Sequence, residues 1–202
     1  MFITFEGGEG TGKSTQVKLL GERLLAQGRD VLTTREPGGT PEAEALRHLL
    51  VSGDTARWSS EAEALLNYAA RDSHLRGVIR PALAAGKILI CDRFMDSTRA
   101  YQGYAGECSF SFINALENEI VADTIPNLTF VFALPPEIGL YRAKTRSGDS
   151  EDRYERKGLE FHKKLNRGFL EIAQANPTRC KVIDATQGID NVADQIWAHV
   201  HG

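Results

Sequence analysis

Residues 7–14 read GGEGTGKS, a full match to the pattern G-x-x-x-x-G-K-[S/T]. An apolar run, Phe2–Glu6 (FITFE), precedes it and predicts a strand. Lys13–Gln27 follows, with Val17, Leu20 and Leu24 spaced for one helix face and Gly28 placed to stop the helix. A glycine-rich turn between strand and helix leaves few folds open. Glycines let backbone N–H groups turn inward without Cβ clashes and form an anion nest. The helix points its positive end at whatever the nest holds. Lys13 is placed to reach the outer phosphates of a nucleotide, and Ser14 to offer a hydroxyl to Mg²⁺. The motif leaves open whether a phosphoryl group then goes to water or to a second substrate.

The rest of the chain repeats the strand–helix alternation. Strands are predicted at Val31–Arg35, Lys87–Asp92 (KILICD), Leu128–Leu134 (LTFVFAL) and Lys181–Ala185 (KVIDA). The middle two are continuous apolar runs, as expected of strands covered on both faces. Helices are predicted at Pro41–Leu50, Ser60–Ala85, Phe110–Val121, Pro136–Thr145, Tyr154–Ala175 and Ile189–His201. Pro81 is expected to kink or divide the second of these. The alternation predicts an α/β fold: a P-loop three-layer sandwich, its five-stranded parallel sheet flanked by helices. Ligands in such sheets sit beyond the carboxyl ends of the strands. The segments to watch are therefore 7–14, 36–40, 92–102 and the turns after Leu134 and Ala185.

Composition excludes several classes. Its 202 residues, 42% hydrophobic and 25% charged, suit one globular domain rather than a disordered chain. Net charge is −3, so no general basic field awaits a nucleic acid. The longest clear apolar run, Leu128–Pro136, is about half of the roughly 20 residues a membrane span needs. The chain opens on MFITFEGG, with no basic segment of a secretory signal. Cys91, Cys108 and Cys180 are too few and too scattered for a disulfide framework or a zinc site, and fit a reduced compartment. The histidines (48, 74, 162, 199 and 201) lack metal-ligand spacing and read as surface or core positions.

Asp92 ends a covered strand, where a carboxylate can hold Mg²⁺ directly or through water; a turn or capping role is the alternative. Arg93 follows and could take a phosphate bidentately. The interval 142–167 carries nine Lys/Arg against five Asp/Glu, in a chain that is acidic overall. Its polar middle, SGDSED at 147–152, suits a lid that brings Arg146 and Arg153 to a transferring phosphoryl group. A solvated helix face with a loop explains it equally well. Tyr68, Arg71, Tyr101, Gln102 and Tyr104 could supply aromatic faces and hydrogen bonds to an acceptor.

Together these motifs resemble the thymidylate kinase family over nearly the whole chain. The resemblance rests on the phosphate loop with Glu9 at its third position, on Arg35-Glu36-Pro37-Gly38-Gly39-Thr40, and on Tyr68-Ala69-Ala70-Arg71. It rests further on Val78-Ile79-Arg80-Pro81-Ala82-Leu83, on Asp92-Arg93-Phe94-Met95-Asp96-Ser97-Thr98-Arg99-Ala100-Tyr101-Gln102, and on Asp152-Arg153. It implies one nucleoside monophosphate kinase domain over 1–202 with a lid at about 146–153, transferring the γ-phosphoryl of ATP to dTMP with Mg²⁺. It implies Lys13, Arg93, Arg153, Glu9 and Arg146 as catalytic groups. Gly7, Gly8, Glu9, Gly10, Thr11, Gly12, Lys13, Ser14, Thr15 and Arg142 would bind ATP, and Ser14 and Asp92 the metal. Glu9, Glu36, Arg47, Tyr68, Arg71, Arg93, Ser97, Thr98, Tyr101 and Gln102 would bind dTMP. The phosphate loop has no Arg at its variable positions, which resembles the lid-arginine kind found in bacteria. Family members are usually cytoplasmic homodimers.

One position departs from the family. Where a Phe usually stacks on the base, four residues before the Arg that matches Arg71, this chain has Asn67. A weaker pyrimidine clamp, or one supplied elsewhere, is the expectation. Rival readings keep the fold and change the acceptor, or make the chain a P-loop ATPase or switch. The segment 92–102 speaks against the first; the lack of a D-x-x-G after the second strand speaks against the second.

Overall fold

A computed structural model of the chain describes residues 1–146 and 153–201. Five parallel strands form one sheet: β1 (Phe2–Gly7), β2 (Val31–Arg35), β3 (Ile88–Asp92), β4 (Leu128–Ala133) and β5 (Cys180–Asp184). Their order is β2-β3-β1-β4-β5, as expected of right-handed crossovers that fill both sides of the first strand. Phe5 pairs with Asp92, Arg35 with Asp92, and Gly7 with Phe132. The register therefore aligns the carboxyl ends of β2, β3 and β1 along one rim.

Helix α1 (Lys13–Ala26) and helix α9 (Ile189–His201) cover one face. Val17, Leu20 and Leu24 meet Phe5, Phe130 and Phe132 there, with Ile196 from α9. The other face is covered by α3 (Ser60–His74), α4 (Arg80–Ala84), α5 (Met95–Thr98), α6 (Phe110–Leu116) and α8 (Leu159–Ala175), with α2 (Pro41–Val51) packed on α3 and α7 (Pro136–Arg146) following β4. Phe2, Tyr68, Leu89, Cys91 and Phe94 make one cluster on that side. Tyr101, Val131, Leu165 and Phe169 make another. Local sequence sets the helix starts. The Thr40 and Ser59 hydroxyls accept from Ala43 N and Ala62 N, and Pro41 sits in the first turn of α2.

The run expected over Ser60–Ala85 is divided into α3 and α4 just ahead of Pro81, as that proline predicts. The run passes from α3 to α4 through a wide π-helical turn at Leu75–Ile79, in which the Arg80 N–H reaches back to Leu75 O. The extra residue in the turn absorbs the bond that Pro81 cannot make. A boundary differs from expectation. Residues 154–158 were expected to open the long helix, but α8 begins at Leu159, with Gly158 as its N-cap and turns before it. Gly158 is a poor interior helix residue. The stretch 95–104, to which no element was assigned from the sequence, is helical: α5 followed by a π-helical turn, Arg99–Tyr104. Cys91, Cys108 and Cys180 are free and buried. Among the described residues no helix is long and apolar enough to cross a membrane.

Candidate active site

The phosphate loop joins β1 to α1 at the sheet's rim. Gly10 and Gly12 adopt φ of 65° and 88°, which side chains resist. A Cβ on Gly10 would also lie 2.0 Å from the carbonyl oxygen of Gly139 in α7, so only glycine fits. Lys13 is nearly buried, and its ammonium donates to Gly7 O (3.1 Å), Gly8 O (2.7 Å) and Thr11 Oγ1 (3.1 Å). Burial, reinforced by Arg93, pulls its pKa down to about 8 against the opposite pull of Asp92, Glu9 and Glu6. Ser14 Oγ donates to Asp92 Oδ2 at 2.6 Å. A hydroxyl and a carboxylate side by side next to a phosphate nest are the hard oxygens that Mg²⁺ takes from a protein. These residues fit the ion.

Arg93 stands at the centre. Its φ of 69° is unusual for a residue with a side chain and turns it back over the loop. The strain is held by bonds: Arg93 N to Phe5 O at 2.9 Å, Nη1 to Gly7 O at 2.8 Å, Nη2 to Glu9 Oε1 at 3.0 Å. Tyr101 Oη donates to the same Glu9 oxygen at 2.6 Å. Burial pushes the Glu9 carboxyl up, but Arg93, Lys13 and the Tyr101 hydroxyl outweigh it and hold it at about 2. Glu9 therefore stays ionised at any working pH. Behind Arg93, Glu6 accepts from Phe94 N (2.8 Å) and Ser97 Oγ (2.5 Å). Burial and the neighbouring Asp96 raise it to about 8, against the pull of Ser97 and Arg93.

Arg71 is braced in a buried chain. Its Nε donates to Glu36 Oε2 (2.8 Å), Nη1 to Thr98 Oγ1 (3.2 Å) and Nη2 to Phe94 O (3.0 Å). Glu36 Oε1 lies 2.9 Å from His74 Nδ1, and His74 Nε2 lies 2.7 Å from Thr34 Oγ1.

Two cavities meet at this point. One, of about 700 Å³ with the solvent at its mouth, is lined by every expected dTMP-binding residue except Tyr68: Glu9, Glu36, Arg47, Arg71, Arg93, Ser97, Thr98, Tyr101 and Gln102. Asn67 also lines it. The other is floored by residues 9–14 with Asp92. Glu9, Glu36, Arg47 and Arg93 line both. The shared wall is what a group transfer between two bound ligands requires.

Tyr68 is placed differently. It is fully buried in the core, and its ring backs the Arg71 guanidinium at 4.6 Å. One residue along a helix turns a side chain by about 100°, so Asn67 faces the cavity and Tyr68 does not. Arg142 donates to Ala185 O at 3.2 Å and ties α7 to the turn after β5, while Thr15 lies in the first turn of α1. Arg153 is fully buried. Its guanidinium donates to Asp54 O, Leu50 O and Thr55 O at 2.9–3.1 Å and to Glu63 Oε1 at 2.6 Å. These bonds lead to the α2–α3 connection rather than to the phosphate loop. Residues 147–152 and the Arg146 side chain lie outside the described residues.

Several contributors had no sequence signal. Glu63 looks like an ordinary acidic residue of a helix's first turn, yet it is buried. Tyr154 and Glu155 line the larger cavity, although their segment reads as helix. Leu50 and Val51 supply apolar wall.

The chain matches the family described as Thymidylate kinase over residues 5–196. It is 55% identical to the thymidylate kinase of Caulobacter vibrioides over 195 residues, 96% of this chain and 93% of that one. It is 50% identical to that of Afipia carboxidovorans over 197 residues, covering 97% and 86%. Among solved structures, the thymidylate kinase of Ehrlichia chaffeensis superimposes with a TM-score of 0.80 at 35% identity, covering 100% of this chain and 98% of that one.

Proposed function

The chain belongs to the thymidylate kinase family, and from that premise we propose that its two cavities hold ATP and dTMP and pass the γ-phosphoryl group between them. The products are ADP and dTDP, on the way to dTTP and DNA replication. The observation that carries this reading is the wall of Glu9, Glu36, Arg47 and Arg93 common to both cavities. A dTMP phosphate oxygen attacks the γ-phosphorus as the bond to the bridging oxygen of ADP breaks. Little covalent work falls to the protein; positioning and charge do most of it.

Gly7, Gly8, Glu9, Gly10, Thr11, Gly12, Lys13, Ser14 and Thr15 cradle the ATP phosphates, and Arg142 lies beside the nucleotide base. Mg²⁺, held through Ser14 and Asp92, would neutralise charge on the transferred group. Lys13 exchanges its bonds to Gly7 O and Gly8 O for phosphate oxygens. Arg93 binds the acceptor phosphate, kept in place by Glu9 and Gly7. Arg71, Thr98 and Gln102 meet the base, Ser97 and Arg47 support the phosphate end with Glu36, and Tyr101 packs on the sugar. Arg146 and Arg153 belong to the lid of this single domain. Arg153 serves transfer only by exchanging its bond to Glu63 for the phosphoryl group. Homodimer assembly and a cytoplasmic setting complete the reading, carried by the family; sedimentation analysis tests the first.

An ADP-release assay with Mg-ATP tests the function, using dTMP, dUMP, CMP, GMP, thymidine and water as acceptors. Stimulation by dTMP far above the others is expected. ADP release indifferent to every acceptor would overturn the reading.

A further inference from the structure

Glu63 lies in the first turn of α3, only 1% exposed, and touches neither phosphate loop nor metal residues. Three donors converge on it. Arg153 Nη2 reaches Oε1 at 2.6 Å and Lys157 Nζ the same oxygen at 3.3 Å, while Gln102 Nε2 reaches Oε2 at 2.8 Å. All three are donors, so both Glu63 oxygens act here as acceptors. The two ends of a glutamine amide are nearly alike in shape, so a neighbour's chemistry decides which way it points. Here Glu63 claims the NH₂ end of Gln102, with Tyr154 Oη at 3.4 Å on the same nitrogen. The carbonyl Oε1 is left for the cavity that Gln102 lines.

We propose that Glu63 is a positioning residue for acceptor selectivity: by holding the Gln102 carboxamide nitrogen, it presents a hydrogen-bond acceptor to the base. The inference rests on reading that cavity as the acceptor-base site. A pyrimidine with a protonated ring imide, as in thymine or uracil, can donate to Gln102 Oε1. Cytosine carries a lone pair at that ring nitrogen and is repelled. A site built for a donor rejects an analogue lacking it far more strongly than an apolar wall does. Asn67 adds to the same polarity, because its Nδ2 donates to Glu63 O at 2.8 Å and it lines the same cavity.

The experiment compares wild type, Glu63→Gln and Lys157→Ala on dTMP and dCMP. A glutamine at 63 can donate as well as accept, which frees Gln102 to turn over. In Glu63→Gln the dTMP-to-dCMP ratio of kcat/KM is expected to fall about tenfold or more, with the KM for ATP held within about twofold. Lys157→Ala breaks one ion pair and leaves Gln102 alone, so its ratio stays at the wild-type value. An unchanged ratio in Glu63→Gln overturns the proposal, as does an equal fall in Lys157→Ala. Should Glu63→Gln fail to fold, proton exchange of the Gln102 side-chain amide in wild type decides. Slow exchange, with and without dTMP, is expected; exchange at the solvent rate overturns the assignment. Wild type that does not turn over dTMP sinks the acceptor reading instead, and the amide exchange still reports the orientation of Gln102.

Discussion

Glu9 Oε1 lies 3.0 Å from Arg93 Nη2, joining the turn after β1 to the turn after β3 across their neighbouring ends. Each has a second anchor, Gly7 O for the Arg93 guanidinium and the Tyr101 hydroxyl for Glu9. Arg93 is in a strained backbone conformation, and Glu9 sits in a loop otherwise shaped by glycines. The pair fixes an arginine in the wall shared by both cavities before any ligand arrives.

Glu9→Gln removes the charge opposite Arg93. The two side chains are 19% and 17% exposed, so solvent discounts the pair to about 1–3 kcal/mol. The kcat/KM for dTMP is expected to fall about 10- to 100-fold in the ADP-release assay. A change of less than about threefold would show that Arg93 keeps its place without Glu9.

Lys13 gives the enzyme an alkaline limb. With its pKa near 8, the ammonium proposed to meet phosphate is charged below that pH and neutral above it. The kcat/KM for ATP, which reports the free enzyme, is expected to drop as pH rises through about 8. Lys13→Arg lowers activity but does not titrate there, so its profile should stay level from pH 7 to about 9.5. An identical limb in both proteins would assign the titration elsewhere.

Arg153→Ala is a stability variant first. It strips four guanidinium bonds from the α2–α3 connection and leaves Glu63 with Lys157 as its remaining cation partner. Breaking a buried pair in this way costs about 3–5 kcal/mol. The thermal midpoint should fall by about 10 °C, and turnover by about tenfold or more. Arg153→Lys keeps the charge but not the fork and should lie between. A midpoint unchanged in Arg153→Ala would mean that the buried network is not formed in solution.

Asn67→Phe should tighten dTMP binding. The asparagine lines the larger cavity where an aromatic face could stack on a base. Stacking contributes about 1–3 kcal/mol, a decrease in Kd of at least about fivefold by titration calorimetry. An unchanged or higher Kd would mean that the cavity has another clamp.

The strands, their parallel direction and the phosphate loop were legible because each follows from local rules. Covered strands read as apolar runs, and a nest needs glycines. The rim residues Asp92 and Arg93 were legible because a strand's carboxyl end predicts where ligands lie. What stayed hidden depends on partners far along the chain. Glu63 is buried against partners far along the chain, Gln102 and, about 90 positions later, Arg153 and Lys157. Nothing within a helical turn of Glu63 announces that. Arg153 shows the same limit from the other side: its neighbours suggested an exposed lid, while its partners lie in the α2–α3 connection. Met95–Thr98 was hidden because a four-residue helix is too short for a helical periodicity to show.

The close approach of Gly10 and Gly139 has a mechanical meaning. A Cβ on Gly139 would lie 2.5 Å from Glu9 O, and one on Gly10 still nearer to Gly139 O, so the loop and α7 press backbone against backbone. No side chain stands between them to act as a cushion. Arg142, one turn further on, pins the same helix to the end of β5. The helix is thus fixed at two points a turn apart, backbone to backbone against the phosphate loop at Gly139 and through Arg142 beyond β5, so the loop has a rigid wall on that side.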